Sequence, residues 1–442
     1  MSGFNRRQML LGGAAGVAAG AIPGRARSTP PKPTRLVIVR AGGGWDPTFC
    51  FEPRSTDACV DGPDLDLSAD PNDEEYVKTI GGVEIQCNDY VHPTDESKSK
   101  RPNVTAFFEK WMSRTAIING VWTGSIAHEP ATIRMLTGTA DTRNADFGAI
   151  VGSTYGNAMP LGYIDISGYS FTGPLASSSG QLGYKAQIRN LTDAVPTYVP
   201  PGSYVDLGIA YPLYLAPDPD KAAIQAYTRA RTDRFRLLEG RGQGTNAVHV
   251  ADLVASLDRA ARFRGEAAEI LTTLEVGRNP SLPSSAALAA ELLHGNLCTS
   301  VLIDGRQPFD THSGMPAQHG HYNGLFYGLS LLMDGLEAYD LVDSTMVVVV
   351  SEMTRTPKRN AEDGKDHWPH ATVLAIGGGV AGGRKYGAYD CSLASLPVDL
   401  ATGEAGPDLL KYDNLVAGIL AGMGIDSEAW LPDVTPFTGF HA

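Results

Sequence analysis

At 442 residues the chain is long enough for one large α/β domain with insertions, or for two or three average domains. Its 43% hydrophobic and 19% charged residues, with 50 glycines, exclude a disordered or fibrous protein and describe a loop-rich globular one. A formal net charge of −13 speaks against nucleic acid or anionic lipid as a partner.

The first 26 residues, MSGFNRRQMLLGGAAGVAAGAIPGRA, read as a twin-arginine export signal. Arg6 and Arg7 precede an apolar stretch from Met9 to Ile22, and a small-residue exit follows at Arg25 and Ala26. That stretch is too short and too rich in Gly and Ala to span a membrane, and no other reaches the roughly 18 apolar residues a span needs. The expected location is therefore periplasmic or secreted, with the twin-arginine export machinery as a partner. This route carries folded proteins, often with a metal or cofactor already in place. Cleavage near Ala26 removes three arginines and no acid, which takes the net charge to about −16.

Residues 27–34 form a proline-rich linker, and one domain is expected over 35–442. RLVIVR reads as a buried strand that ends in a glycine turn, with Asp46 just beyond it. Residues 52–103 are acidic, rich in turn formers and without period, so they form an excursion from the core. Cys50, Cys59, Cys87, Cys298 and Cys391 contain no C-x-x-C pair. In an oxidising compartment two of the first three could close a disulfide, and the odd total leaves one thiol over.

TAIINGV reads as a second buried strand. In the following HEPATIRMLTG, Pro130 suits the first turn of a helix. His128 and Glu129 then lie at the amino-terminal end, where N–H groups and the helix dipole favour a phosphate or sulfate; a His128 that merely caps or packs fits equally well. From about 150 to 296 a cap-like insertion is expected: loops and small strands first, then helices over 218–296. The final third alternates CTSVLID (strand), LFYGLSLLMDGLEAY (helix), TMVVVVSE (strand) and ATVLAIGGG (strand). The unbroken valine run implies a central strand covered on both faces, hence an α/β fold with a mainly parallel sheet between helical layers.

In such sheets ligands bind beyond the carboxyl ends of the strands. There the chain places Asp46, then Asp310 and His312 of FDTH, then Glu352, and Asp366, His367 and His370 arrive in GKDHWPHATV. Five of the ten histidines fall between 312 and 370. Asp310 could simply cap a turn, and His319 and His321 in AQHGHYNG read as loop residues outside the ligand set. Arg355 is either the ion partner of Glu352 or the anchor of a substrate's anionic group. Mixed nitrogen and oxygen ligands suit one or two zinc or manganese ions better than calcium.

SEMTRTPKRN, GKDHWPHATVLAIGGGVAGGRKYG, FDTH and the twin-arginine leader together resemble domain-of-unknown-function family 1501, exported proteins grouped with the sulfatases and alkaline phosphatases. The likeness covers most of the mature chain and is tightest between 306 and 390. It implies an alkaline phosphatase-like three-layer αβα sandwich, one or two metals, and a nucleophile at a helix start. Sulfatases carry that nucleophile two residues before a proline, ahead of a helix that ends Leu-Thr-Gly. Here His128, Pro130 and Leu136-Thr137-Gly138 keep the spacing, so conversion to formylglycine is not open to this chain. Glu352-Met353 also stands where relatives of the alkaline phosphatase type have Asp-His. The expectation is a metal-dependent hydrolase of a small anionic phosphate or sulfate ester. Asp46, Asp310, His312, Glu352, Asp366, His367 and His370 would hold the cations, with His128 and Arg355 as catalytic groups. The alternative is a non-catalytic envelope scaffold on the same fold.

Overall fold

The computed structural model describes residues 32–54, 58–63, 77–87, 101–181 and 280–442, together with scattered positions between 223 and 270, all of them helical. All of these belong to the unit Pro31–Ala442. In chain order its strands are β1 (Arg35–Arg40), β2 (Val77–Ile80), β3 (Val83–Gln86), β4 (Thr115–Trp122), β5 (Tyr163–Asp165), β6 (Ser179–Gln181), β7 (Ser300–Asp304), β8 (Thr345–Val350), β9 (Thr354–Arg355), β10 (His367–Trp368), β11 (His370–Gly377) and β12 (Arg384–Tyr386). The helices used below are α1 (Pro102–Trp111), α2 (His128–Thr137), α3 (Phe147–Tyr155), α4 (Leu282–His294), α5 (Ala317–Ala338) and α6 (Tyr412–Gly422).

Eight strands form one sheet in the order β12-β4-β11-β8-β1-β7-β5-β6. All neighbours pair parallel except at β11, which runs antiparallel to both β4 and β8. The valine run of β8 sits between β11 and β1 and is buried throughout. Side chains alternate between two cores, as the two-residue period of a strand requires. Val37 and Val39 of β1 pack with Phe107 of α1, Leu288 of α4 and Leu325 of α5, whereas Leu36 and Ile38 face Leu136 of α2, Ile150 of α3 and Leu415 of α6. The architecture is thus a three-layer αβα sandwich with a mostly parallel sheet.

Three details differ from the sequence reading. AQHGHYNG is not a loop but the first two turns of α5, anchored by the buried side chains of Gln318, His319 and Tyr322. Its glycines mask a helical period; at Gly328 a Cβ would lie 2.3 Å from Leu282, so the absence of a side chain lets α4 approach α5. Within the 52–103 excursion, β2 and β3 form an antiparallel hairpin closed by Gly81 and Gly82, both at positive φ. Residues 163–181 contribute β5 and β6 to one edge of the main sheet. The export segment, most of the acidic excursion and most of the stretch 218–296 expected to be helical lie outside the described residues.

Candidate metal centre

The reversed direction of β11 explains how a segment that precedes a strand reaches an edge built from strand ends. β1, β4, β7 and β8 all deliver their carboxyl ends to one edge, and β11 begins there. Onto that edge come His128 from the turn after β4, Asp310 and His312 from the loop after β7, Glu352 from the end of β8, and Asp366 and His367 from the segment that leads into β11. The fit is tight: a Cβ on Gly364 would lie 1.9 Å from the carbonyl oxygen of His312.

Three imidazoles surround the carboxylate of Asp310. His128 Nε2 lies 3.4 Å from Oδ2, and the Nε2 atoms of His312 and His367 each lie 3.2 Å from Oδ1. The two latter nitrogens are 2.9 Å apart. The other nitrogen of each ring is engaged by an acceptor. His367 Nδ1–H donates to the carbonyl of Ile126 at 2.6 Å. His128 Nδ1 meets Glu352 Oε1 at 2.8 Å, and His312 Nδ1 meets Asp366 Oδ1 at 3.0 Å. An acceptor at Nδ1 fixes the tautomer with its proton there and leaves Nε2 as a bare lone pair in the neutral ring. In the neutral rings three lone pairs then turn toward one carboxylate, which Arg355 meets from the buried side, and a cation on the open side would satisfy all of them.

Burial sharpens the point. His128 Nε2 and Glu352 Oε2 are both buried atoms without a hydrogen-bond partner. The ligand atoms of His128, Asp310 and His367 all fall within 4.8 Å of one another, and this is the metal-compatible group found among the described residues. Imidazole held through its second nitrogen by a carboxylate or carbonyl is the usual setting of a metal-binding histidine. The donor set, nitrogen with one carboxylate, fits zinc or manganese and not calcium.

The electrostatics keep the acids ionised. Burial works against the charge on Asp310, but the hydrogen bond and charge of Arg355, with His367 and His128, hold its carboxyl down at about 2. Burial likewise opposes the charge on Glu352, and the bond from His128, the nearby Arg40 and the N–H of Gly43 outweigh it. Glu352 in turn raises the pKa of His128. The bond from His312 lowers the pKa of the exposed Asp366.

Of the residues singled out from the sequence, Asp310, His312, His367, His128, Glu352 and Asp366 therefore come together, the last two behind the imidazoles they orient. Three others are placed differently. His370 points away: its Nδ1 lies 2.5 Å from Ser395 Oγ and also accepts the Ser395 N–H, and burial lowers its pKa to about 4. Asp46 is buried beneath the cluster, where Oδ1 caps the Pro47–Phe49 turn and Oδ2 pairs with Lys365 Nζ at 2.6 Å. Arg355 is fully buried; besides Asp310 at 2.5 Å it donates to the backbone carbonyls of Gly43, Gly44 and Lys365, so its guanidinium holds these loops and Asp310 together. His319 is buried against Phe49, and His321 packs edge-on to Phe309. Sequence reasoning missed the Ile126 carbonyl, which carries no side-chain signal, and Lys365, which reads as an ordinary loop lysine.

The chain belongs to the family described as protein of unknown function DUF1501, whose model matches residues 34–435. No curated protein matches it. Among solved structures it is similar to Ps i-CgsB (9% identity, TM-score 0.40, covering 91% of this chain and 75% of that one). It is also similar to the lipoteichoic acid synthase LtaP from Listeria monocytogenes (9% identity, TM-score 0.39, covering 93% and 77%). A third likeness is to TAB5 alkaline phosphatase in a mutant form with magnesium bound (12% identity, TM-score 0.35, covering 90% and 99%). These distant likenesses assign no residue of this chain a role.

Proposed function

We propose that the protein is an exported hydrolase of a phosphate or sulfate ester that depends on a divalent cation, zinc or manganese. The convergence of the Nε2 atoms of His128 and His367 on Asp310, with His312 beside them, carries this reading, because each ring is held through Nδ1 by an acceptor and turns its second nitrogen to the same carboxylate. When bound there, such an ion would polarise an ester oxygen and lower the pKa of a water molecule. His128, Asp310 and His367 would hold it, with His312 alongside; Glu352, Asp366 and the Ile126 carbonyl set the three rings, and Arg355 fixes Asp310.

Support for an anionic substrate comes from α2. His128 is its first residue, Ala127 gives its N-cap position no side-chain hydrogen bond, and the positive end of the helix dipole therefore lies beside the cluster. A tetrahedral phosphate or sulfate group matches that field. The wall is not wholly polar, since Ile126 is one of the exposed large apolar side chains.

The test is hydrolysis of an aryl phosphate, a phosphodiester and an aryl sulfate by protein stripped of metal and then reloaded with zinc or manganese. The expected result is metal-dependent turnover of at least one ester class that Asp310→Asn abolishes. A fully loaded protein inert toward all three and toward an extract of envelope esters would favour the scaffold. Export is part of the proposal, carried by Arg6 and Arg7 ahead of the apolar stretch. Replacing both arginines by lysine should strand the protein in the cytoplasm, and unchanged fractionation would reject that route.

A further inference from the structure

Beneath the cluster, Asp46 and Lys365 form an ion pair in which both side chains are completely buried, and nothing in the proposed chemistry uses it. Two charges withdrawn from water contribute little stability and often less than an apolar pair of the same shape. Their location is informative. Lys365 immediately precedes Asp366 and His367, and its backbone N–H donates to the carbonyl of Thr311, the residue between Asp310 and His312. Its own carbonyl accepts from Arg355 Nη1 at 3.1 Å. Gln318, also buried, completes the lattice: its Oε1 accepts the Asp46 N–H at 3.1 Å, and its Nε2 donates to the Phe309 carbonyl and to Thr311 Oγ1, both at 3.0 Å.

We infer that the buried Asp46–Lys365 pair, locked by Gln318, is a positioning device that sets the register of the two ligand-bearing segments, 310–312 and 366–367, against each other. The inference rests on reading the cluster as a cation site. Other contacts join these segments near the surface: Arg355 bonds Asp310 and the Lys365 carbonyl, Asn360 Nδ2 donates to the His312 carbonyl, and Ser313 bridges to Asp363. The ion pair adds the tie beneath them, where the segments pack so closely that Gly364 tolerates no side chain. Lys365 engages both segments and Asp46 ties them to the loop after β1. A donor atom displaced by a few tenths of an ångström weakens a metal site without unfolding anything, so such a lock would show in affinity and not in stability.

The experiment compares wild type with the double variant Asp46→Asn/Lys365→Met, which keeps the volume and the Oδ1 cap on Thr48 and removes both charges. Zinc affinity is measured by competition with a chromophoric chelator, and thermal midpoints are measured on the metal-free proteins. The expected result is a midpoint equal to or above wild type together with zinc binding weakened by about ten- to a hundredfold. Zinc binding within about twofold of wild type overturns the inference, as does an affinity loss that merely follows a collapsed midpoint. If the double variant does not fold, Gln318→Met decides: it keeps both charges but removes the lock, cutting the bonds that join the Asp46 N–H to Phe309 and Thr311, and should still weaken zinc several-fold at an unchanged midpoint. Unchanged affinity there overturns the inference. Wild-type protein that binds no zinc or manganese would instead reject the cation site itself, which keeps the two failures apart.

Discussion

Replacing Glu352 by glutamine isolates the contribution of one orienting carboxylate. In the native arrangement Glu352 Oε1 accepts the N–H of Gly43 at 2.9 Å and meets His128 Nδ1 at 2.8 Å, with Arg40 Nη2 3.5 Å away. Glutamine preserves the shape and one acceptor oxygen, so the Gly43 and His128 contacts survive as neutral hydrogen bonds. What disappears is the charge. A hydrogen bond to an ionised group contributes about 1.5–3 kcal/mol against about 1 for a neutral one, and the difference of roughly 0.5–2 kcal/mol is about two- to thirtyfold in an equilibrium constant. Loss of the carboxylate also makes the ring a poorer donor through Nε2, which extends the expected loss of metal affinity to about ten- to a hundredfold. The assay is competition of Glu352→Gln and wild type against a chelating dye at one pH, with circular dichroism to verify the fold. A Glu352→Gln protein that is folded and binds zinc within twofold of wild type would refute the claim that Glu352 prepares His128 for a cation.

Other perturbations test the packing around the site. Because burial lowers the pKa of His370 to about 4, the unfolded chain takes up its proton first as pH falls from about 6.5. His370 therefore contributes a stability term present above pH 6.5 and progressively lost toward pH 4. His370→Gln should flatten that slope in urea titrations by about 1 kcal/mol, discounted for partial solvent contact, without changing metal content. A variant that keeps the wild-type slope contradicts this placement. Gly364→Ala should destabilise the fold by about 1–3 kcal/mol and weaken metal binding, since its methyl group would overlap the His312 carbonyl; an unchanged denaturation midpoint would show that the loop contact is not as drawn.

Much of the site was legible because the rule of strand carboxyl ends is geometric. Once RLVIVR, CTSVLID and TMVVVV were read as strands of one sheet, Asp310, His312 and Glu352 had to share an edge, and α2 brought His128 there. The pair His367 and His370 misleads for an equally geometric reason. Three residues apart on a helix, two imidazoles share a face; in an extended chain an odd separation sends them to opposite sides. His367 lies in β10 and His370 opens β11, so one faces Asp310 and the other Ser395. Asp46 carried its own warning, since an Asp-Pro-Thr run is an N-cap followed by a proline at the first helical position, and that is how its carboxylate is used. The position of Lys365 was not legible: no local pattern tells a lysine in a loop that its partner is 319 residues away.

Elemental analysis of the purified, dialysed protein decides whether His128, Asp310 and His367, with His312 alongside, hold a cation. The wild type should carry at least one zinc or manganese ion per chain, and Asp310→Ala and His367→Ala proteins that remain folded should lose it. Wild-type protein that takes up neither metal, or folded variants that keep the full complement, would contradict a cation site there.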